Sequence, residues 1–251
     1  MQRTACLLTG LLLIGFIVHA QTKSPGAFIE LSAGPSFPIG KFGEKSFGSF
    51  MDENPGGNAK MGLAMNANIG YRLNETAGIV LIAGYSINKQ DADSYEEYMK
   101  KAWFSNPSRV DVTAESWKIF RIMAGGFLIT PLTANEELSL ITKVAAGVCK
   151  TALPAFSWTG YDQNGMLLGA GTQNKTMLSW TFCYQVNLGL QYKLNNKLHI
   201  LFDINSFNAT ANKEYSYNPN PISSGPVQMV TIKRKFRLAS VSALAGIGMD
   251  L

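Results

Sequence analysis

The chain is short of charge, cysteine, histidine and long apolar runs, and each shortage closes off a class of protein. Asp, Glu, Lys and Arg make up 16% of its 251 residues against 46% hydrophobic, the reverse of what keeps a chain disordered. Three cysteines are too few for a disulfide-stapled scaffold. Two histidines without His or Cys companions at ligand spacing leave no metal centre to expect. One apolar run, Leu7 to Val18, stands where a polytopic helical membrane protein needs several of about 20 residues. Lys and Arg outnumber Asp and Glu by 22 to 17 but are scattered, so no stripe for nucleic acid forms. No phosphate loop is present either: Gly169-Ala170-Gly171-Thr172 lacks the lysine and the strand-to-helix context, and no cofactor is expected. What is left is one ordinary domain, or a membrane class whose apolar residues are spread thin.

The N-terminus points to export. Arg3, the Leu7 to Val18 run and the small-residue site Val18-His19-Ala20 form a secretory signal peptide over residues 1–20, cleaved near Ala20. Cys6 precedes the apolar core, so it is not a lipoprotein cysteine. A single barrel domain is then expected over 21–251.

Past residue 26 the dominant period is two. Leu178, Trp180, Phe182, Tyr184, Val186, Leu188, Leu190 and Tyr192 alternate with Ser179, Thr181, Cys183, Gln185, Asn187, Gly189, Gln191 and Lys193. Met61 to Tyr71 and Ala239 to Leu251 repeat the pattern, and weaker versions occupy 27–36, 77–88, 116–130, 137–150 and 197–208. Eight strands result. The connections after the second, fourth and sixth are turn-like, and those after the first, third, fifth and seventh are long. That alternation describes an all-β, eight-stranded antiparallel up-and-down transmembrane barrel with long external loops and short periplasmic turns. A soluble barrel would alternate too, with its apolar side inward. Bulk argues against it, because the apolar face carries Trp180, Phe182, Tyr184, Tyr192, Tyr71, Tyr85 and Phe202 while the polar face is rich in Gly, Ser, Ala and Asn. Tyr71, Tyr192 and Trp180 fall where aromatic girdles lie.

Two stretches carry a family resemblance. Ala33-Gly34-Pro35-Ser36-Phe37-Pro38-Ile39-Gly40-Lys41-Phe42-Gly43 resembles the opening of small outer-membrane β-barrel proteins of the Bacteroidota type, the PorT-like proteins, and Gly246-Ile247-Gly248-Met249-Asp250-Leu251 is similar to their closing strand. The likeness runs over the whole mature chain by pattern more than by motif. It implies an integral protein of a Gram-negative outer membrane, with outer-membrane lipid and the barrel assembly machinery as partners. Leu251 departs from the terminal aromatic usual in such barrels.

Residues that could carry chemistry are few. Glu30, Arg121, Lys143 and Asp203 fall on the inward face at mid-depth and are expected to pair across the lumen as a charge network. A selective pore would use the same four. His199, the one histidine after the signal, also faces the lumen, whereas an outer-membrane lipid-modifying enzyme would need it facing lipid beside a serine. Cys149 and Cys183 lie on the lumen face of adjacent strands in an oxidising compartment, so a disulfide is open to them, although their stagger strains the reach. In the second long loop Ser94-Tyr95-Glu96-Glu97 reads as a capping box, and Tyr95, Tyr98, Met99, Ala102 and Trp103 recur at helical spacing, predicting a helix over 94–104. Phe156 to Leu168 reads as a hairpin. Tyr95, Tyr98, Trp103, Trp158, Tyr161, Tyr215 and Tyr217 are the external-loop contact candidates. The expected role is non-enzymatic, structural or surface-binding through those loops, with a passive channel or a lipid-modifying enzyme as alternatives.

Overall fold

The computed structural model describes residues 26–45, 54–102, 107–217 and 230–251; the signal peptide lies outside them. In chain order the elements are β1 (Gly26–Pro38), a 3-10 turn (Gly40–Phe42), β2 (Ala59–Arg72), β3 (Ala77–Gln90), α1 (Ala92–Ala102), β4 (Arg109–Ala114) and β5 (Ser116–Pro131). There follow β6 (Leu138–Leu153), β7 (Phe156–Tyr161), β8 (Leu167–Gln173), β9 (Thr176–Met177), β10 (Thr181–Lys193), β11 (Leu198–Tyr217) and β12 (Val230–Asp250). Strands β1, β2, β3, β5, β6, β10, β11 and β12 pair antiparallel in that order, and β12 returns to β1, so the sheet closes with no free edge. Strands β4, β7 and β8 form a separate sheet, and β9 is a short addition to β6.

Two of the three tight turns are built by one asparagine each. The Asn74 carboxamide oxygen accepts from the amides of Thr76 and Ala77, and Asn195 does the same for Lys197 and Leu198. These Asx turns let β2 hand over to β3, and β10 to β11, within four residues.

All eight expected strands form, and the outside of the barrel is apolar. Leu31, Ile69, Ile79, Val144, Phe182, Leu188, Phe202, Ile204 and Ile247 are all exposed, while their strand neighbours Glu30, Asn68, Lys143, Cys183, Asn187, Asp203 and Asn205 are buried. A continuous apolar band on every strand far exceeds the patches a soluble surface tolerates. Closure satisfies every ladder hydrogen bond internally, as hydrocarbon demands. Tyr71 and Tyr192 at one rim and Trp180 at the other are half exposed, as girdle residues are. Among the described residues no helix is long and apolar enough to cross a membrane; the chain crosses with strands. It is an integral β-barrel of the outer membrane.

The inside departs from expectation in one respect. Bulk is not confined to the lipid face: Trp117, Ile119, Met123 and Phe127 of β5 all point inward, as do Phe28, Ile82 and Phe207. Glycine makes the room. Directly across the register, Arg121 faces Gly84, Phe127 faces Gly78, Phe28 faces Gly70, Asp203 faces Gly189 and His199 faces Gly248, and in each pair a Cβ on the glycine would run into the large side chain. The small residues of the inner face are thus slots for large ones from the next strand. Gly84→Leu is expected to displace the Arg121 guanidinium and destabilise the barrel by about 1–3 kcal/mol, measured as a lowered midpoint in urea.

Two strand limits differ from the sequence reading. Leu178 does not join the lipid-facing row; it is buried, and β10 begins only at Thr181 because β9 and the residues after it turn the chain inward. Strands β11 and β12 run to 217 and from 230 rather than stopping near 208 and 239, so this hairpin stands well above the apolar band.

Candidate functional site

The lumen is filled in tiers. Toward the end where the long connections lie, Phe42, Trp117 and Phe236 stack edge-to-face or tilted, with centroids 5.5 and 5.8 Å apart, and Leu153, Leu178 and Leu238 join the same buried cluster. The Trp117 indole N–H donates to the Gly57 carbonyl at 2.9 Å, tying the first long connection into this plug. Phe28 and Phe127 meet edge-on at 5.3 Å toward the opposite end.

Between them lies the charged tier. Lys143 Nζ donates to Glu30 Oε2 at 2.5 Å, and Asn68 Nδ2 donates to the same oxygen at 2.9 Å. Asp203 Oδ2 stands 3.9 Å from the Lys143 ammonium on its other side. His199 Nε2 lies 3.6 Å from Glu30 Oε1 and its Nδ1 lies 4.0 Å from Asp250 Oδ1, while Asp250 is paired with Arg72 at 2.9 Å. Lys143, Glu30, Asp203 and His199 are all 1–2% exposed. In so enclosed a place the ions are tolerable only because each finds an opposite partner.

Three of the four expected lumen charges therefore meet, and Arg121 does not. It lies opposite Cys149 on β6, six positions beyond Lys143, or about 20 Å along the strand. Its Nη2 donates to Asn66 Oδ1 at 2.8 Å and its guanidinium sits 5.0 Å from the centre of the Phe207 ring. From sequence His199 reads only as a rim residue; the structure makes it a member of the network, sealed in the lumen and away from lipid.

Cys149 and Cys183 are free and buried beside Arg121. Cys183 lies opposite Gly147, and Cys149 opposite Thr181, so the two are diagonal neighbours on paired strands, and the structure holds them as free thiols in side-chain contact with each other.

Outside the band, the long connections build a second layer. The sheet of β4, β7 and β8 carries the expected hairpin, turned at Asp162–Gly165, where the Asp162 carboxylate accepts from the amides of Asn164 and Met166. Helix α1 leans on it through Tyr95, whose ring meets Phe156 at 4.2 Å. The helix begins two residues earlier than expected because Asp91, not Ser94, caps it. The Asp91 carboxylate accepts from the Ser94 amide at 3.1 Å and its hydroxyl at 2.7 Å, and also pairs with Lys60 at 2.8 Å and Lys45 at 3.1 Å. Burial alone would push the Asp91 carboxyl up; Lys60, Ser94 and Lys45 outweigh it and hold it well below the usual carboxylate range.

This lowered value sets a sign. A carboxyl depressed on folding contributes stability that is full above its unfolded value, about 3.9, and lost as pH falls through the folded one. Helix α1 is therefore expected to keep its amide protection down to about pH 4 and lose it in stronger acid. Asp91→Ala should remove the cap at neutral pH and speed exchange of the helix amides about fivefold, for a cap worth about 1 kcal/mol.

Of the loop candidates, Tyr98 is exposed, Tyr95 is half-buried against Phe156, Trp158 is half-buried beside Gly171, and Tyr161 lies under the Arg109 guanidinium at 4.7 Å. Trp103 lies outside the described residues, as do the side chains of Tyr215 and Tyr217. Met166 and Leu167, which belong to the hairpin read from sequence but not to its contact candidates, are 65% and 58% exposed at the hairpin tip. Their signal was present in two apolar residues directly after Asn-Gly.

No protein-family model matches this sequence, and no curated protein does. Solved structures do resemble it. Neisserial surface protein A is 12% identical with a TM-score of 0.45, over 90% of this chain and 99% of that one. A major outer membrane protein from Thermus thermophilus is 11% identical at 0.45, over 90% and 99%. The outer membrane protein OprG from Pseudomonas aeruginosa is 12% identical at 0.40, over 90% and 96%. Similarity at this level says nothing about activity.

Proposed function

We propose that this chain is a non-enzymatic surface protein of the outer membrane, whose barrel serves as a filled anchor and whose external layer makes the contacts. One observation carries the reading. Among the described residues Phe42, Trp117 and Phe236 pack across the lumen above an enclosed ion network, which supports an anchoring barrel over a conducting one, while the helix and three-stranded sheet above it are an organised structure with exposed apolar tips. The finer family reading, a PorT-like barrel of the Bacteroidota type, is supported by the Ala33 to Gly43 entry into the first loop and by Gly246 to Leu251. On this reading the closing strand is what the barrel assembly machinery engages.

Two measurements test the role together. A photo-crosslinker placed at Asn164 on intact cells is expected to capture a specific surface ligand or protein, and Trp158→Ala with Tyr161→Ala to abolish the capture. The purified barrel is expected to give no unitary conductance in planar bilayers. Steady conductance steps that change on Lys143→Gln would instead favour a channel.

A further inference from the structure

Beyond the loops, the described residues place a cationic border on the outward face of the barrel at the rim of the long connections. On β3 the lipid-facing row Leu81, Ala83, Tyr85, Ile87 ends in Lys89; on β5 the row of Ile122 and Phe120 ends in Lys118; on β6 the row of Val144, Ala146 and Val148 ends in Lys150. On β12 the row of Ala243, Val241 and Ala239 ends in Arg237, followed two residues later by Lys235. Among the described residues none of these five cations has a carboxylate within ion-pair distance; the neighbouring Lys41 and Lys233 have theirs in Glu44 and Glu214. At the opposite rim Lys193 and Arg72 are matched by Glu136 and Asp250, leaving Lys197 in the last turn.

The surface under this border is shaped for amphiphiles. A groove of about 650 Å³ runs between β10 and β12, lined by Phe182, Tyr184, Thr210 and Arg237 and by the Lys41–Glu44 pair, whose carboxylate is taken up by its own lysine at 2.8 Å. On the β10 side the Lys150 ammonium lies 5.7 Å from the centre of the Trp180 ring, and Trp180 packs edge-on against Phe120 at 6.4 Å.

We propose that this border binds the phosphate groups of anionic lipids in the external leaflet, with the Arg237 groove holding one such lipid. The inference rests on the chain spanning the membrane with its long connections outward. Cations that cap successive lipid-facing rows around a barrel match a plane of charge, not a point ligand, and headgroup phosphates lie in such a plane directly above acyl chains. A guanidinium serves phosphate with two parallel donors, and the aromatic and small residues below it accept hydrocarbon.

The test uses the whole mature chain refolded into nanodiscs of phosphatidylcholine, alone or with lipid A, with dephosphorylated lipid A, or with inorganic phosphate in the buffer. Lipid A is expected to raise the temperature at which the compact gel band is lost by roughly 5–10 °C, given several cations near the headgroups, and the other two additions to leave it unchanged. The combined substitutions Lys118→Gln, Lys150→Gln and Arg237→Gln should lose that increment while keeping the compact band in phosphatidylcholine; Arg237→Gln alone should lose about a third. An undiminished increment in the variants, or an equal one from dephosphorylated lipid or free phosphate, would overturn the proposal and leave the barrel standing. A wild-type chain without a compact band in any lipid would overturn both.

Discussion

Lys143→Ala is expected to destabilise the folded barrel by about 3–5 kcal/mol, the range for removing one partner of a buried ion pair. Among the described residues the ammonium is the one Lys or Arg cation between Glu30, at 2.5 Å, and Asp203, at 3.9 Å, so its loss leaves two carboxylates facing each other in an enclosed lumen. His199 stands against Glu30 from the far side but does not reach Asp203 in the observed network. Adding Glu30→Gln to Lys143→Ala should recover part of the loss, since the unpaired charge, rather than the missing contact, dominates the penalty. Urea titration of the compact gel form in detergent reads both values. A loss below about 1 kcal/mol for Lys143→Ala would mean that water reaches the network and screens it, as it does for exposed pairs.

Leu188→Arg should cost about 2–4 kcal/mol, the penalty for a cation at the bilayer midplane on the lipid face of a barrel. Leu188 is 52% exposed midway along β10, beside lumen-facing Asn187, which is 1% exposed. Val148→Arg provides the depth control. It lies next to Lys150 near the external rim, on the same outward face, and should cost only about 0–1 kcal/mol. The difference between the two is the signature of hydrocarbon outside, because a soluble barrel would accept either arginine on its wet surface with little change. Refolding equilibria in lipid vesicles give the comparison.

The residues explain which of these features could be read from sequence. Period-two alternation is strong wherever one face meets lipid and the other a packed lumen, and for that reason all eight strands were legible, from Met61 to Tyr71 through Ala239 to Leu251. The signal fades where the environment stops being two-sided. Residues 209–217 and 230–238 continue β11 and β12 above the band; in 230–238 Lys233, Lys235 and Arg237 alternate with Ile232, Arg234, Phe236 and Leu238, so the outward row changes from apolar to cationic and no longer extends the lipid-facing pattern. The lumen was half legible. Glu30, Lys143 and Asp203 could be placed together from phase and depth, but Arg121 could not be separated from them without the register that sets it opposite Cys149. Trp117, Phe127 and Phe28 are not legible as lumen residues, because bulk in a narrow barrel reads as lipid-facing; the glycines across from Phe127 and Phe28 show how the lumen accepts rings. Asp91, Asp93 and Ser94 are all N-cap residue types within four positions, and the ion pairs with Lys60 and Lys45 that hold Asp91 in the capping place come from residues distant in sequence.

The most direct test of the membrane-spanning barrel is to fractionate cells and run the protein on gels with and without boiling. A lipid-facing, closed barrel will be found with the outer membrane, will need detergent for extraction, and will migrate as a compact band that shifts on heating. Recovery in the soluble periplasmic fraction, with one band regardless of heating, would contradict it.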